Sequence, residues 1–322
     1  MNVEVGRFFN THLPPRGKTQ LHDYVHFFGL KENPFTVTPD TRYFFAHNSC
    51  QDALNVLLLA TYGGEGFIKI TGEVGTGKTL LCRKFLSSLD EDYLTAYIPN
   101  PYLEPATLLF AIADELGVAY SDHCNQHQIL KLMTQFLIET YAQQHCAVVI
   151  CLDEAHVMPI ETLEMLRLLG NLETQRRKLL QIVLFGQPEL DRRLDLPAVR
   201  QLKQRIGFSC QLAPLKRIEV EDYLHHRLSI AGLSGPRLFS KTAVKLLYNA
   251  THGIPRLVNI VCFKALLAAY GQGQRLISAR HITAAIKDTE SVQHKSPAWK
   301  KYLGLGLTAG FLTGLLSIGW LM

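Results

Sequence analysis

Between residues 66 and 212 short apolar runs alternate with longer stretches of helical period. The runs at 66–71, 93–98, 147–152, 179–185 and 206–212 predict strands. The run AVVICL at 147–152 is apolar throughout, as expected for a parallel strand covered on both faces. Helical periodicity predicts helices near 80–89, 104–117, 125–143 and 161–176. Strands separated by helices imply an α/β fold, a parallel sheet with helices on both faces. After Pro214 the pattern changes to helices at 218–231, 240–251, 256–270 and 278–289, broken by glycines at 232–236 and 271–273. The expected order is an N-terminal extension (1–23), an α/β domain (24–213), a small all-α domain (214–290), a polar linker (291–302) and an apolar tail (303–322).

Chemistry enters between the first strand and the next helix. Gly72, Glu73, Val74, Gly75, Thr76, Gly77, Lys78 and Thr79 complete the pattern G-x-x-x-x-G-K-T, with Leu80 opening the helix. Glycines let backbone N–H groups turn toward phosphate oxygens, and a helix beginning there adds its positive end. Lys78 is expected on the β/γ-phosphates and the Thr79 hydroxyl on Mg²⁺. The run ending at Leu152 delivers Asp153 and Glu154 to the C-terminal end of a strand, where parallel sheets place ligands. Asp153 suits Mg²⁺ binding, and Glu154 suits activation of a water for attack on the γ-phosphate. Together these form a nucleoside triphosphate hydrolysis site of P-loop NTPase type. No base-reading N-K-x-D sequence accompanies them, so ATP is the expected nucleotide. Gln187 follows the 179–185 run and is a candidate polar sensor. Arg256, at the start of a helix after Pro255, is a candidate to reach the γ-phosphate. Arg205, just before the last strand, is a candidate arginine finger for a neighbouring subunit.

Composition narrows the picture only slightly. Of 322 residues 47% are hydrophobic, and 33 basic against 28 acidic residues leave a net charge of +5, too mild to imply nucleic acid. Seven cysteines without a C-x-x-C pair fit free thiols in a reducing compartment. His145, Cys146, Cys151 and His156 surround one short strand, whose alternating faces argue against a metal cluster. Residues 1–20 carry no apolar run of the kind an export signal needs. Residues 303–322 carry no charge and are bracketed by the only two tryptophans, Trp299 and Trp320, with Lys300 and Lys301 on one side. Twenty apolar residues suffice to cross a hydrocarbon core of about 30 Å, and lysines on that side place the ATPase region in the cytoplasm. The expectation is a single C-terminal transmembrane helix in the inner membrane. Gly306, Gly310 and Gly314 form a stripe that could pack on another membrane helix.

Several stretches resemble one family. They are Phe27-Phe28-Gly29-Leu30-Lys31-Glu32-Asn33-Pro34-Phe35, Thr38 to Phe44, GEVGTGKT at 72–79, LDEAH at 152–156, FGQPEL at 185–190 and HGIPRLVN at 252–259. With these the chain resembles the AAA+ ATPases of secretion and pilus assembly, the ExeA-type and MshM-type proteins of general secretion pathway A and MSHA pilus biogenesis. The resemblance covers roughly 24–290 and implies an AAA+ core with a helical lid, ATP and Mg²⁺ as ligands, a homo-oligomer, and inner-membrane pilus or secretion proteins and lipid as partners. It implies that the opening segment packs beside the adenine, with Asn33 to Phe35 and Phe44 as candidate contacts whose aromatic rings suit a core equally well, and that sensor and finger roles fall on Gln187, Arg205 and Arg256. Family members often carry Asn, Ser or Thr where this chain has Gln187. ExeA-type proteins carry a periplasmic peptidoglycan-binding region after the span, whereas this sequence stops at Met322, so cell-wall binding is not among the expectations. A DNA-associated ATPase of the transposition kind and a non-hydrolysing nucleotide-gated scaffold are the alternative readings. The first would show a basic or DNA-reading face, and nucleic acid is not the expected partner.

Overall fold

The structure is a computed structural model that describes residues 20–172 and 178–293. Five strands, β1 (Phe67–Gly72), β2 (Tyr93–Ile98), β3 (Ala147–Leu152), β4 (Leu180–Gly186) and β5 (Ile206–Leu212), form one parallel sheet in the order β2-β3-β4-β1-β5. Parallel neighbours need crossovers, and helices supply them. The helices are α1 (Gln20–Phe27), α2 (Asn48–Tyr62), α3 (Lys78–Leu86), α4 (Pro105–Leu116), α5 (Gln126–Gln144), α6 (Ile160–Leu169), α7 (Glu189–Leu194), α8 (Arg200–Arg205), α9 (Arg217–Ile230), α10 (Lys241–Thr251), α11 (Pro255–Gly271), α12 (Ala279–Lys287) and α13 (Glu290–Gln293).

The two-residue period of the strands divides the core. Val148, Ile150, Leu152, Ile182 and Leu184 face a cluster completed by α4, α5 and α6. Val149, Cys151, Ile68, Ile70, Val183 and Phe185 face the other side, against Leu57 of α2 and Leu81 and Phe85 of α3. β5 is an edge strand, with exposed and half-buried positions alternating along it. Beyond the sheet, α9 to α12 gather around Val220, Leu247, Val261 and Leu266. Tyr24, Phe28, Leu30 and Phe35 of the opening segment join that helical cluster, not the sheet. Arg227 of α9 fastens the segment there: it is 4% exposed, donates to the Pro34 and Thr36 carbonyls, and lies 4.4 Å from the Tyr43 ring centre.

Boundaries move where side chains intervene. The helix expected at 80–89 ends at Leu86, because Ser87 and Ser88 turn their hydroxyls onto the Lys84 carbonyl at 2.9 and 2.7 Å. The helix expected at 161–176 ends at Leu169. Gly170 follows, against the Phe67 ring, and a Cβ there would lie 2.2 Å from the ring. Residues 173–177 lie outside the described residues. The pattern passed over α2, which buries Ala53, Leu54, Leu57 and Ala60, and also α1, α7 and α8. Among the described residues no helix is long and apolar enough to cross a membrane; the stretch 303–322 lies outside them.

Candidate functional site

Strand order decides what meets. β4 separates β1 from β3, and Gly186 pairs with Thr71 while Leu184 pairs with Leu152. The segments leaving β1, β3 and β4 therefore emerge side by side at the C-terminal edge. They carry the 72–79 loop, Asp153-Glu154 and Gln187.

Gly75 and Gly77 take φ of +82° and +104°, a region closed to most side chains, which lets the loop wrap around a central space. No side chain caps the start of α3, so its first N–H groups stay free for an anion. Thr76 closes the turn by donating its hydroxyl to the Glu73 carbonyl at 2.8 Å. Lys78 is 5% exposed and donates to the Gly72 and Glu73 carbonyls at 2.8 and 3.1 Å. Burial holds its ammonium pKa below the usual lysine range, although Glu154 and Asp153 pull the other way. An anion entering the loop offers this cation a stronger partner than two carbonyls. Half-buried Leu80 covers the first turn of α3, while Glu73 and Val74 are exposed at the rim.

The acids behave differently from each other. Asp153 is 2% exposed and accepts three hydrogen bonds: from the Thr79 hydroxyl at 2.6 Å, from the Tyr97 hydroxyl at 3.2 Å and from the Glu154 N–H at 3.0 Å. Burial pushes its carboxyl pKa up, the Thr79 bond opposing. A divalent cation would offset that burial, and the paired Thr79 and Asp153 oxygens are the hard donors Mg²⁺ prefers. Glu154 is more open and takes a left-handed backbone, φ 56° and ψ 33°. Its carboxylate accepts from the Gln187 side-chain amide at 3.4 Å. Behind Gln187, buried Lys69 of β1 pairs with Asp191 and ties α7 to that strand.

Arg256 meets the same loop from the helical side. Its N–H donates to the Gly75 carbonyl at 3.2 Å, and a Cβ on Gly75 would lie 2.7 Å from Arg256 Cβ. Arg205 stands apart. It precedes β5, whose first residue pairs with Phe67, so it occupies the opposite edge of the sheet, about 20 Å of strand from the loop. Its guanidinium donates to the Arg167 carbonyl at 3.2 Å. Phe35, expected beside the adenine, is 2% exposed and packs edge-on to Phe239 inside the helical cluster. Asn33 accepts from the Phe35 N–H at 3.0 Å and so shapes that turn, while Phe44 packs toward the α2–α3 side of the sheet. Two site residues escaped sequence reasoning. Tyr97 pairs with Cys151 in the parallel register, which sets its hydroxyl against Asp153. His156 sits between Glu154 and Gln187.

The family described as an AAA domain matches residues 61–194, which span this loop, both acids and Gln187. General secretion pathway protein A of Aeromonas hydrophila is 37% identical over 297 residues, 92% of this chain. The chain therefore carries an AAA domain, and over most of its length it is similar to general secretion pathway protein A. It spans about half, 54%, of that relative's length. Solved structures share the fold at low identity. The Cdc6p structure from Pyrobaculum aerophilum gives a TM-score of 0.60 at 18% identity, covering 85% of this chain and 74% of that one. The Aeropyrum pernix ORC2 protein gives 0.58 at 17%, covering 82% and 74%. The Aeropyrum pernix ORC1 protein, solved in complex with DNA, gives 0.56 at 17%, covering 80% and 69%.

Proposed function

We propose that this chain hydrolyses ATP in the crevice between the 72–79 loop and the Asp153-Glu154 turn, and that it does so as a membrane-anchored oligomer serving a pilus or secretion assembly. The 2.6 Å bond between the Thr79 hydroxyl and Asp153 carries the reading, because it joins the two oxygens that would hold Mg²⁺ beside the lysine that would face the β/γ-phosphates. Mg²⁺ bound there would neutralise charge developing on the phosphates. Loop N–H groups and the start of α3 bind the phosphates, and Lys78 turns from its carbonyls to them. Glu154 orients and deprotonates the attacking water, with the Gln187 amide beside it. Arg256, packed on the loop, lets the helices behind α9 act as a lid that senses the γ-phosphate. Arg205, at the far edge, could serve only the nucleotide of a neighbouring copy, which motivates the oligomer.

Secretion or pilus assembly as the destination rests on the relative's name and on the uncharged stretch 303–322. The ORC1 relative bound to DNA favours DNA association as the second reading, and failure to bind duplex DNA at low salt would dismiss it. The deciding experiment is turnover of Mg·ATP by full-length protein in detergent. Lys78→Ala should abolish tight nucleotide binding. Glu154→Gln should keep ATP bound and slow turnover by about a hundredfold or more. Undiminished hydrolysis by Glu154→Gln would remove that residue from the mechanism.

A further inference from the structure

His156 carries no role in the reading above, yet it touches both groups that would act on the attacking water. It lies in the single turn Ala155–Val157 that follows Glu154, and its side chain is 12% exposed. The left-handed backbone at Glu154 folds this turn back, so the imidazole returns to the side of the Glu154 carboxylate. Such a conformation is strained for a non-glycine residue and persists only where surrounding contacts impose it. Here the contacts converge on one atom. His156 Nδ1 accepts the Gln187 backbone N–H at 3.4 Å and lies 3.5 Å from Glu154 Oε2. The Gln187 side-chain amide donates to that same Oε2 at 3.4 Å. A Cβ on Gly186 would meet the His156 backbone nitrogen at 3.5 Å, so the end of β4 lies close beside the turn after β3.

One ring nitrogen can serve only one of its two neighbours at a time. As an acceptor it needs the proton on Nε2, and it then holds the Gln187 backbone while offering Glu154 no bond. As a donor it binds the Glu154 carboxylate and releases the Gln187 N–H. We propose that His156 is a positioning residue that registers the Gln187 loop against Glu154 through this shared nitrogen. With the loop seated, the carboxylate is left to the amide of Gln187 and to the water; with the loop displaced, the imidazole takes the carboxylate and withholds the base. This inference rests on ATP hydrolysis at this site, and Glu154 and Gln187 are the groups through which His156 acts.

The test compares His156→Ala, His156→Asn, His156→Gln, Gln187→Ala and the His156→Ala/Gln187→Ala double variant of the full-length chain, by ATP affinity and steady-state turnover. His156→Ala should lower kcat by about tenfold to a hundredfold, since a misplacement of about 1 Å suffices for that. KM and ATP affinity should stay within about twofold, because the phosphate contacts are untouched. Asparagine can place an acceptor near the Nδ1 position and should recover most of the rate; glutamine, which reaches the Nε2 position, should not. The double variant should lose no more than the worse single variant, as expected for residues acting as one unit. Unchanged kcat in His156→Ala, multiplying losses in the double variant, or equal rates for the asparagine and glutamine forms would each overturn the proposal. If alanine prevents folding, the asparagine–glutamine comparison decides alone. Inert wild-type protein would instead defeat the hydrolysis reading; wild-type turnover lost in Glu154→Gln but indifferent to His156 would defeat only this inference.

Discussion

Gly75 shows how much a single residue of the loop is asked to do. Its φ of +82° is left-handed, and the space a Cβ would take is filled by Arg256 Cβ at 2.7 Å and Ile254 Cγ2 at 3.2 Å. Gly75→Ala therefore combines backbone strain of about 1–2 kcal/mol with displacement of the α11 start. It should lower the thermal midpoint and weaken nucleotide binding by about tenfold or more, measured by unfolding and by titration calorimetry. Wild-type affinity in that variant would mean that the contact between α11 and the loop does not govern the pocket. At the same scale, burial moves the pKa values of Lys78 and Asp153 in opposite directions. Lys78 is pushed toward its neutral form and so is Asp153, which leaves both with a deficit that phosphate and a divalent cation relieve.

At the scale of elements, the opening segment and α9 form one unit. Glu32 accepts from Arg42 at 3.1 Å and from the Tyr43 hydroxyl at 2.9 Å, and its carboxyl pKa is lowered chiefly by the Arg42 bond. Arg227 then crosses from α9 to the Pro34 and Thr36 carbonyls and to the Tyr223 hydroxyl at 3.1 Å. Exposed Arg42 and Glu32 contribute little, since water screens them. Arg227 is buried, so removing it strands the Pro34 carbonyl, while the Thr36 carbonyl keeps the Asn259 amide as its donor at 3.2 Å. Arg227→Met should destabilise by about 3 kcal/mol in chemical denaturation. Arg42→Ala should leave the denaturation midpoint nearly unchanged, because water screens that pair. Equal losses would mean that the exposed pair, not the buried guanidinium, secures the segment.

At the scale of the whole molecule, the position of Arg205 argues for assembly. If it completes a neighbour's site, Arg205→Ala should lose about 10³-fold in kcat with little change in ATP affinity. Mixing it with Glu154→Gln protein should restore part of the activity at interfaces where each copy supplies what the other lacks. Turnover linear in concentration with no rescue on mixing would reassign Arg205 to the surface. The stretch 303–322 makes a separate prediction. Full-length protein should stay with membranes through a high-salt or carbonate wash, which removes electrostatic attachment but not a span. A chain ending at Pro297 should be soluble and retain turnover. Release by salt alone would reduce the stretch to a peripheral contact.

The strands, the phosphate loop and the acid pair were legible in the sequence because each is encoded locally. Period-two burial, glycines that permit positive φ, and an apolar run ending in two acids need no partner to be recognised. Gln187 and Arg256 were legible as positions after a strand and at the start of a helix, though the sequence does not say what each touches. The helix α2 was equally local and was passed over; its apolar face is plain once Leu54 and Leu57 are seen against the sheet. What no local rule contains is the meeting of residues far apart in the chain. The insertion of β4 between β1 and β3 brings Gln187 to Glu154, the parallel register of β2 on β3 brings Tyr97 to Asp153, and the folded-back turn brings His156 between them. Tertiary packing also decided that Phe35 is buried in the helical core, where a large apolar ring gains most from leaving water. The sequence by itself determined which elements form and what chemistry they carry; strand order and helix packing decided which of those groups act together.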